Sequence, residues 1–217
     1  MHEKHGRIDT ASLAAAVTGH RTCSSVGAFP LLPTLIWHFH ANVIIEVGVR
    51  FGYTTAIFAD TLAQLFEEAW LFPVDIEAAA VDVARGILSR YPSVHGTAHQ
   101  VNSQAADYVD MVRETPGGRA RLILIDGSPL YEAVAGDIAA SLPALADDGV
   151  FVFHDYVLGD GAGVIRAIDE AFRPTGQWDL FAMPTPLGKP FAIVRRRASG
   201  TSQGPHEGHH YPGRPPQ

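Results

Sequence analysis

The sequence contains a single cysteine, Cys23, and no apolar run long enough to cross a bilayer. One cysteine excludes an internal disulfide bond and is typical of proteins in the reducing cytosol. The first residues, MHEKHGRIDT, lack the apolar core of a secretory signal. We therefore expect a cytoplasmic protein without a membrane partner.

Basic residues are also scarce. The chain has 16 Lys and Arg against 23 Asp and Glu, which gives a formal net charge of −7. Because a general nucleic-acid binder presents a basic face, we expect no nucleic-acid partner. The 217 residues, 47% of them hydrophobic, suffice for one globular domain with a sizeable core.

The composition changes at both ends of this domain. Residues 198–217 are rich in Gly, Pro, Ser and His and have little to bury, which predicts a disordered tail. We interpret residues 1–40 as an N-terminal helical extension, in which Trp37 has the helical spacing of a core residue. The apolar stretch FPLLPTLIW in this extension could form a homodimer contact. The main domain is then predicted over residues 41–197.

Short apolar runs alternate with helical patterns along the main domain. Such runs, when they lack polar alternation, are typical of strands buried on both faces. The predicted strands are residues 43–47, 70–74, a weaker 96–101, 122–125, 150–153, 178–183 and 191–196. The predicted helices are residues 54–68, 78–90, 104–114, 131–146 and 163–172.

This alternation predicts an α/β fold: a doubly wound, seven-stranded, mostly parallel sheet with helices on both faces. The link at residues 184–190 holds three prolines and a glycine and is too short for a crossover helix. The last strand should therefore run antiparallel to the one before it.

Acidic residues stand at the ends of the long predicted strands: Glu46, Asp75, Asp126 and the pair His154–Asp155. Ligands of open parallel sheets bind beyond the carboxyl ends of the strands. The pattern thus predicts a ligand site lined by acids. Asp75 suits the two hydroxyls of a ribose, but it could also cap the helix that follows, and both roles could hold together.

The stretch VIIEVGVRFGYTT, residues 43–55, joins a buried strand to a helix. Gly48 and Gly52 would let the backbone turn sharply and approach a ligand closely. A dinucleotide-binding turn would need a glycine in place of Arg50. A nicotinamide oxidoreductase is therefore a distant alternative.

Four segments, EVGVRFGYTT, PVDIE, LILIDGSPLYEAVAGDI and DDGVFVFHDY, resemble in order and spacing the class I S-adenosylmethionine-dependent methyltransferases. The similarity is greatest to the small single-domain subgroup related to O-methyltransferases, and it spans roughly residues 30–197. It implies a Rossmann-like domain that moves a methyl group from S-adenosylmethionine to a hydroxyl of a small molecule, with secondary metabolism as one setting. DGSPLY and Tyr156 depart from the subgroup's pattern, which keeps open a cofactor-binding protein without methyl transfer.

The resemblance implies a role for individual residues. Asp75 would bind the ribose hydroxyls, Asn102 and Ser103 would flank the adenine, and Asp126 would lie near the transferred methyl group. The full set of implied cofactor-binding residues is Glu46, Gly48, Gly52, Tyr53, Thr54, Thr55, Asp75, Ile76, Asn102, Ser103 and Asp126.

The implied catalytic residues are His154, Asp155 and Asp126, and the first two would face the acceptor. His154 is a candidate general base for a hydroxyl acceptor. Asp126 and Asp155 could instead hold a Mg²⁺ ion, which favours oxygen ligands, although Tyr156 stands where metal-dependent relatives carry a third ligand. Tyr156 could also wall the acceptor pocket, and the glycine-rich residues 158–164 form either a mobile gate or a flexible turn.

Overall fold

The computed structural model describes residues 31–105, 107–159, 161–184 and 190–197. Residues 1–30 of the expected extension (1–40) and the expected tail lie outside these ranges. Within them, the helices are α1 (Leu31–His38), α2 (Tyr53–Leu65), α3 (Ala78–Leu88), α4 (Asp107–Arg113), α5 (Tyr131–Ser141) and α6 (Ala162–Phe172). None of the described helices is both long and apolar enough to cross a membrane.

The strands of the described chain join in one sheet. They are β1 (Val43–Val47), β2 (Ala69–Asp75), β3 (Val94–His95), β4 (His99–Gln100), β5 (Ala120–Ile125), β6 (Leu145–Phe153), β7 (Trp178–Met183) and β8 (Phe191–Arg196). The order is β3-β2-β1-β5-β6-β8-β7, and β4 also pairs with β2. Strands β1, β2, β5 and β6 are parallel, whereas β8 runs antiparallel to both β6 and β7. The predicted α/β fold and the antiparallel last strand are confirmed.

The two faces of the sheet carry separate apolar cores, because successive side chains of a strand point to opposite faces. In β1, Val43, Ile45 and Val47 belong to one core and Ile44 to the other. Glu46 follows this alternation and shares the face of Ile44, which α1 and α2 cover. The acid therefore points into the packed layer beneath α2.

The sheet has one more strand than predicted. The predicted strand 96–101 is replaced by two two-residue strands, β3 and β4, which both pair in parallel with β2. Gly96 interrupts the ladder between them with a φ of +122°. A Cβ atom on Gly96 would lie 2.1 Å from the carbonyl oxygen of Leu71, so only glycine fits at this position.

Some predicted boundaries were wrong. The helix predicted at residues 131–146 ends at Ser141. A short 3-10 helix with Pro143 in its first turn, Leu142–Ala144, follows, and β6 begins at the next residue.

The burial of two aromatic side chains was also predicted wrongly. Trp37, predicted to be core, is 57% exposed, whereas Tyr156, predicted to wall a pocket, is 5% exposed and packs in the core.

Candidate active site

The turn between β1 and α2 depends on two glycines. Gly48 has a φ of +95° and Gly52 a φ of +75°, which other residues adopt only at a cost. A Cβ atom on Gly48 would lie 2.3 Å from the carbonyl oxygen of Asp126. A Cβ atom on Gly52 would lie 2.5 Å from Cδ1 of Ile87 on α3. The turn is as sharp as predicted, and neighbouring protein atoms alone leave no room for a Cβ atom at either glycine.

The carboxylate of Asp75, at the end of β2, holds this turn in place. Its Oδ2 accepts hydrogen bonds from the backbone N–H groups of Val49 at 2.9 Å and Arg50 at 3.0 Å. Its Oδ1 accepts the N–H of Glu77, the N-cap residue of α3, at 2.9 Å. Asp75 is thus not the N-cap itself. Since a carboxylate offers about four acceptor directions, one remains for a ligand hydroxyl.

Glu46 lies beneath the turn and is fully buried. The hydroxyl of Thr55 donates to Glu46 Oε2 at 2.6 Å, and Oε1 has no hydrogen-bond partner in the part of the chain that the structure describes. Burial raises the pKa of the Glu46 carboxyl to about 8; the Thr55 hydrogen bond opposes the shift, and the charges of Asp126 and Asp75 add to it. Glu46 is therefore mostly protonated at neutral pH.

A cavity of about 430 Å³ opens at the carboxyl edge of the sheet. Its volume is in the range of small-ligand sites. The predicted cofactor-binding residues that line it are Gly48, Asp75, Ile76, Asn102, Ser103 and Asp126. The other predicted cofactor-binding residues lie in β1, in the turn and at the start of α2, and they are not among the lining residues of the cavity: Glu46, Gly52, Tyr53, Thr54 and Thr55.

The wall of this cavity is acidic. It carries the carboxyl groups of Asp75, Glu77, Asp126 and Asp137, and the guanidinium of Arg50. A surplus of acids favours a ligand with positive charge, such as a sulfonium, and disfavours the pyrophosphate of a dinucleotide.

Asp137 is the candidate residue that the sequence reasoning missed. It lies on α5, is 2% exposed, and lines the cavity. The hydroxyl of Ser103 donates to Asp137 Oδ1 at 2.6 Å. Burial raises the pKa of the Asp137 carboxyl, and the Ser103 hydrogen bond opposes this shift. The signal available in the sequence was an acid on the same helical face as the apolar Val134 and Ile138.

Asp126, His154 and Asp155 meet where β5 and β6 end. His154 Nδ1 lies 2.9 Å from Asp126 Oδ1 and 3.0 Å from Asp155 Oδ1. The imidazole is buried and meets the ring of Phe191 edge-on. Burial acts to lower the pKa of His154, but the contacts and charges of the two aspartates outweigh it and raise the pKa to about 9. His154 therefore carries a proton at neutral pH, which disfavours the general-base role expected from the sequence.

A second, small cavity of about 10 Å³ adjoins this cluster, and its lining includes Asp126, His154 and Asp155. It has room for roughly one water molecule. Asp126 lines both cavities, so this one carboxylate connects the large cavity to the cluster.

Two glycines of the predicted glycine-rich segment, Gly161 and Gly163, pack against the loops that carry the cluster. A Cβ atom on Gly161 would lie 2.0 Å from the carbonyl oxygen of Asp155, and one on Gly163 would lie 2.6 Å from that of Pro129. Close packing therefore explains why these two residues are glycines. The mobile gate and the flexible turn stay predictions.

Within the described ranges, no group of three or more His, Cys, Asp or Glu side chains is arranged to hold a metal ion. The two predicted magnesium ligands, Asp126 and Asp155, both contact His154. The magnesium site stays a prediction.

A doubly wound sheet whose strand-end acids line a cavity is the arrangement that the sequence predicts for a class I S-adenosylmethionine-dependent methyltransferase. Residues 45–156 match the family model of a methyltransferase domain, and the chain belongs to this family. Both the predicted family and the Rossmann-like fold are confirmed, and the family assignment rules out the nicotinamide alternative.

Solved structures of methyltransferases share the fold. An O-methyltransferase from Bacillus cereus, in complex with SAH, has a TM-score of 0.62 at 16% identity, over 87% of this chain and 88% of that chain. The O-methyltransferase TomG from Streptomyces achromogenes, involved in tomaymycin synthesis and in complex with SAM, has a TM-score of 0.63 at 16% identity, over 86% and 90%.

A curated relative is named for methylation of a nitrogen, unlike the two O-methyltransferases above. The histidine N-alpha-methyltransferase of Mycobacterium tuberculosis is 26% identical in an alignment of 145 residues that covers 64% of this chain and 43% of the relative. The chain thus spans less than half the length of that relative.

Proposed function

We propose that this methyltransferase transfers the methyl group of S-adenosylmethionine to a hydroxyl of a small molecule. The observation that carries the proposal is the cluster of Asp126, His154 and Asp155 at the edge of the acidic cavity. A hydroxyl acceptor must lose its proton as it attacks, and this cluster provides carboxylates beside the cofactor space. The role of the structural neighbour TomG in tomaymycin synthesis supports an acceptor from secondary metabolism.

The residues of the large cavity fit the cofactor. Asp75 has an acceptor direction left for the ribose hydroxyls, and the exposed side chain of Ile76 offers an apolar surface to the base. Asp126 lines the cavity in which the sulfonium would lie; burial raises the pKa of its carboxyl, and the contact with His154 opposes this shift. The acidic wall should favour the charged cofactor over its neutral thioether product, which helps product release.

The lining of the large cavity would hold S-adenosylmethionine, whose sulfonium would give its methyl group to the acceptor oxygen and leave as a neutral thioether. The protein's task is to orient the acceptor and to take its proton. Asp126 is placed to receive this proton, because it borders both the cofactor space and the small cavity. His154 would hold the two aspartates in position from below.

Two exposed apolar side chains lie close in sequence to the cluster. Leu130 follows the turn after Asp126 and is 67% exposed; Leu158 follows the turn after Asp155 and is 73% exposed. Exposed leucines on the loops that carry the cluster support an acceptor with an apolar body.

We expect Asp75→Asn to weaken binding of S-adenosylhomocysteine by about 100-fold, because the amide loses the charge that attracts three N–H groups and the ribose hydroxyls. Isothermal titration calorimetry on folded protein measures the change. Asp82→Asn, which alters an exposed acid on α3 paired with Arg85, is the matched control and should bind as the wild type does. Unchanged affinity in Asp75→Asn would contradict the proposed ribose site.

We expect His154→Ala to lower turnover by about 100-fold or more while cofactor affinity stays within about threefold. The reason is that Asp126 and Asp155 lose the group that positions them. His154→Asn, whose amide can still donate near the Nδ1 position, should recover thermal stability but only part of the turnover. If His154→Ala turned over at the wild-type rate, the cluster of Asp126, His154 and Asp155 would have no role in methyl transfer.

The acceptor is tested by release of S-adenosylhomocysteine in the presence of panels of phenols, sugar hydroxyls, carboxylates and amines, including histidine. We expect turnover with hydroxyl acceptors, in particular those with an apolar body. Turnover with amines alone would contradict the proposal, and cofactor binding without turnover on any panel would favour the binding protein without chemistry. Each assay is run with Mg²⁺ and with chelator, and a Mg²⁺ requirement would support the metal site on Asp126 and Asp155.

A further inference from the structure

We propose that Arg50 selects methyl acceptors that carry a carboxylate, by binding this group at the solvent-exposed side of the large cavity while the acceptor hydroxyl faces Asp126. This inference rests on the proposed function and deepens it, because it names the substrate class: hydroxy acids with an apolar body. It concerns a side chain that neither the packing of the turn nor the proton transfer uses.

Arg50 gives the acidic cavity its local positive charge. Of the described residues that line the cavity, Arg50 is the one with a cationic side chain, among the carboxyl groups of Asp75, Glu77, Asp126 and Asp137. An anionic group would be repelled by this wall except near the guanidinium. Burial raises the pKa of Asp126, and the charge of Arg50 is among the effects that oppose this rise. The guanidinium therefore lies close enough to the reacting end for one acceptor to reach both residues.

The nearby acids of the cavity wall are engaged by other partners. Asp75 accepts three backbone N–H groups, one of which belongs to Arg50 itself. Asp126 contacts His154. In the part of the chain that the structure describes, the guanidinium of Arg50 forms neither an ion pair nor a hydrogen bond. Its donors thus remain for a ligand.

The ring of Phe51 holds the guanidinium in place. Arg50 Cζ lies 5.0 Å from the centroid of this ring, within the range of a cation–π contact. Phe51 is 53% exposed and meets the buried ring of Tyr53 edge-on. A guanidinium over an aromatic ring keeps the N–H groups at its edge free, and their spacing matches the two oxygens of a carboxylate. Arg50 and Phe51 together offer a charged fork beside an apolar surface.

The backbone of Arg50 also indicates a function for its side chain. Arg50 has a φ of +50°, which a residue with a Cβ atom adopts at a cost that glycine avoids. The N–H of Arg50, bound to Asp75 Oδ2 at 3.0 Å, helps to hold this conformation. Strained residues of this kind cluster at functional sites. A long charged side chain at this position is therefore expected to contact a ligand.

S-adenosylmethionine has a carboxylate of its own, in its amino-acid portion, which offers Arg50 the same chemistry. The exposure of the fork favours the acceptor. Both Arg50 and Phe51 are exposed, whereas the acids Asp126 and Asp137 line the cavity from less exposed positions. The acceptor approaches the bound cofactor from solvent, so an exposed fork is placed to meet it.

The test measures KM for acceptor pairs that share a hydroxyl and an apolar body and differ in charge: para-hydroxybenzoate with para-hydroxybenzamide, and protocatechuate with its amide. We expect the wild-type KM to be about 10-fold lower for each acid than for its amide. In Arg50→Gln, which removes the charge and the fork, the ratio should fall to about twofold or less. Arg50→Lys, which keeps the charge without the fork, should retain part of the preference.

Arg113→Gln is the matched control, because it removes the same charge from an exposed arginine of α4 that pairs with Asp110 and does not line the cavity. It should keep the wild-type ratio. Equal KM values of the wild type for acid and amide would overturn this inference and leave the proposed function intact. If the wild type methylated no hydroxyl acceptor, the proposed function and this inference would fall together.

Calorimetric titration of S-adenosylhomocysteine distinguishes the two sources of the carboxylate. We expect the affinity of Arg50→Gln to stay within about threefold of the wild type, because the fork binds the acceptor. If Arg50→Gln bound S-adenosylhomocysteine about 10-fold more weakly and kept the wild-type preference for acids, the guanidinium would bind the carboxylate of the cofactor, and this inference would be wrong.

Discussion

Replacing Gly48 with alanine is expected to lower the free energy of unfolding by about 4 kcal/mol. Two costs add. The residue would keep a φ of +95°, which an L side chain adopts at about 1–2 kcal/mol, and its Cβ would lie 2.3 Å from the carbonyl oxygen of Asp126. Both atoms belong to backbone held by hydrogen bonds, from Gly48 N–H to the Val74 oxygen and from Asp126 N–H to the Val47 oxygen, so neither can move without breaking the ladder.

The melting temperature should fall by about 10 °C, measured by calorimetry or circular dichroism. Gly86→Ala is the matched control, because Gly86 lies in α3 and an added Cβ would meet nothing within 4 Å. The control should gain about 0.5–1 kcal/mol from better helix propensity. If Gly48→Ala melted within about 2 °C of the wild type, the close contact between this turn and the end of β5 would be wrong.

Glu46→Gln is expected to stabilise the protein strongly at alkaline pH and hardly at all near pH 5. The folded protein holds a proton on Glu46 up to a pKa of about 8, whereas an unfolded chain releases it near 4.5. The stability of the wild type therefore falls as the pH rises through this window. Above pH 8 the carboxylate is ionised without water around it, and the free energy of unfolding is then lower by about 4 kcal/mol. Glutamine has no charge to bury, and it can still accept the Thr55 hydrogen bond.

The experiment measures melting temperatures of both proteins from pH 5 to pH 8.5. The difference should grow with pH and reach about 10 °C at the alkaline end. Glu68→Gln, which alters an exposed acid before β2, is the control and should show no such trend. A difference that did not change with pH would show that Glu46 is not the buried, proton-holding group described above.

The sequence predicted the sheet well, because unbroken apolar runs are a local pattern. The runs at residues 43–47 and 122–125 lie within the parallel strands β1 and β5, and the proline-rich link correctly predicted an antiparallel end to the sheet. The strand at 96–101 was predicted less well. Its interruption depends on Gly96, which must pass the backbone of Leu71 on another strand.

The candidate site was predicted in outline. Asp75 and Asp126 do line the cavity, since any residue at the carboxyl end of a parallel strand reaches that edge. Thr55 was assigned to the ligand but instead donates to Glu46 within the layer beneath. Asp137 was missed because its partner, Ser103, is 34 residues away, and no local pattern predicts that contact.

The sequence by itself determined the order of the elements, the edge of the sheet where the acids gather, and the family of the protein. Each follows from periodicity or from short motifs, which neighbouring residues define. Tertiary structure decided which acids face the cavity and which charge each group carries. Glu46 holds a proton at neutral pH because it is buried, and His154 holds one because the carboxyl groups of Asp126 and Asp155 outweigh the effect of its burial. Sequence spacing specifies neither state.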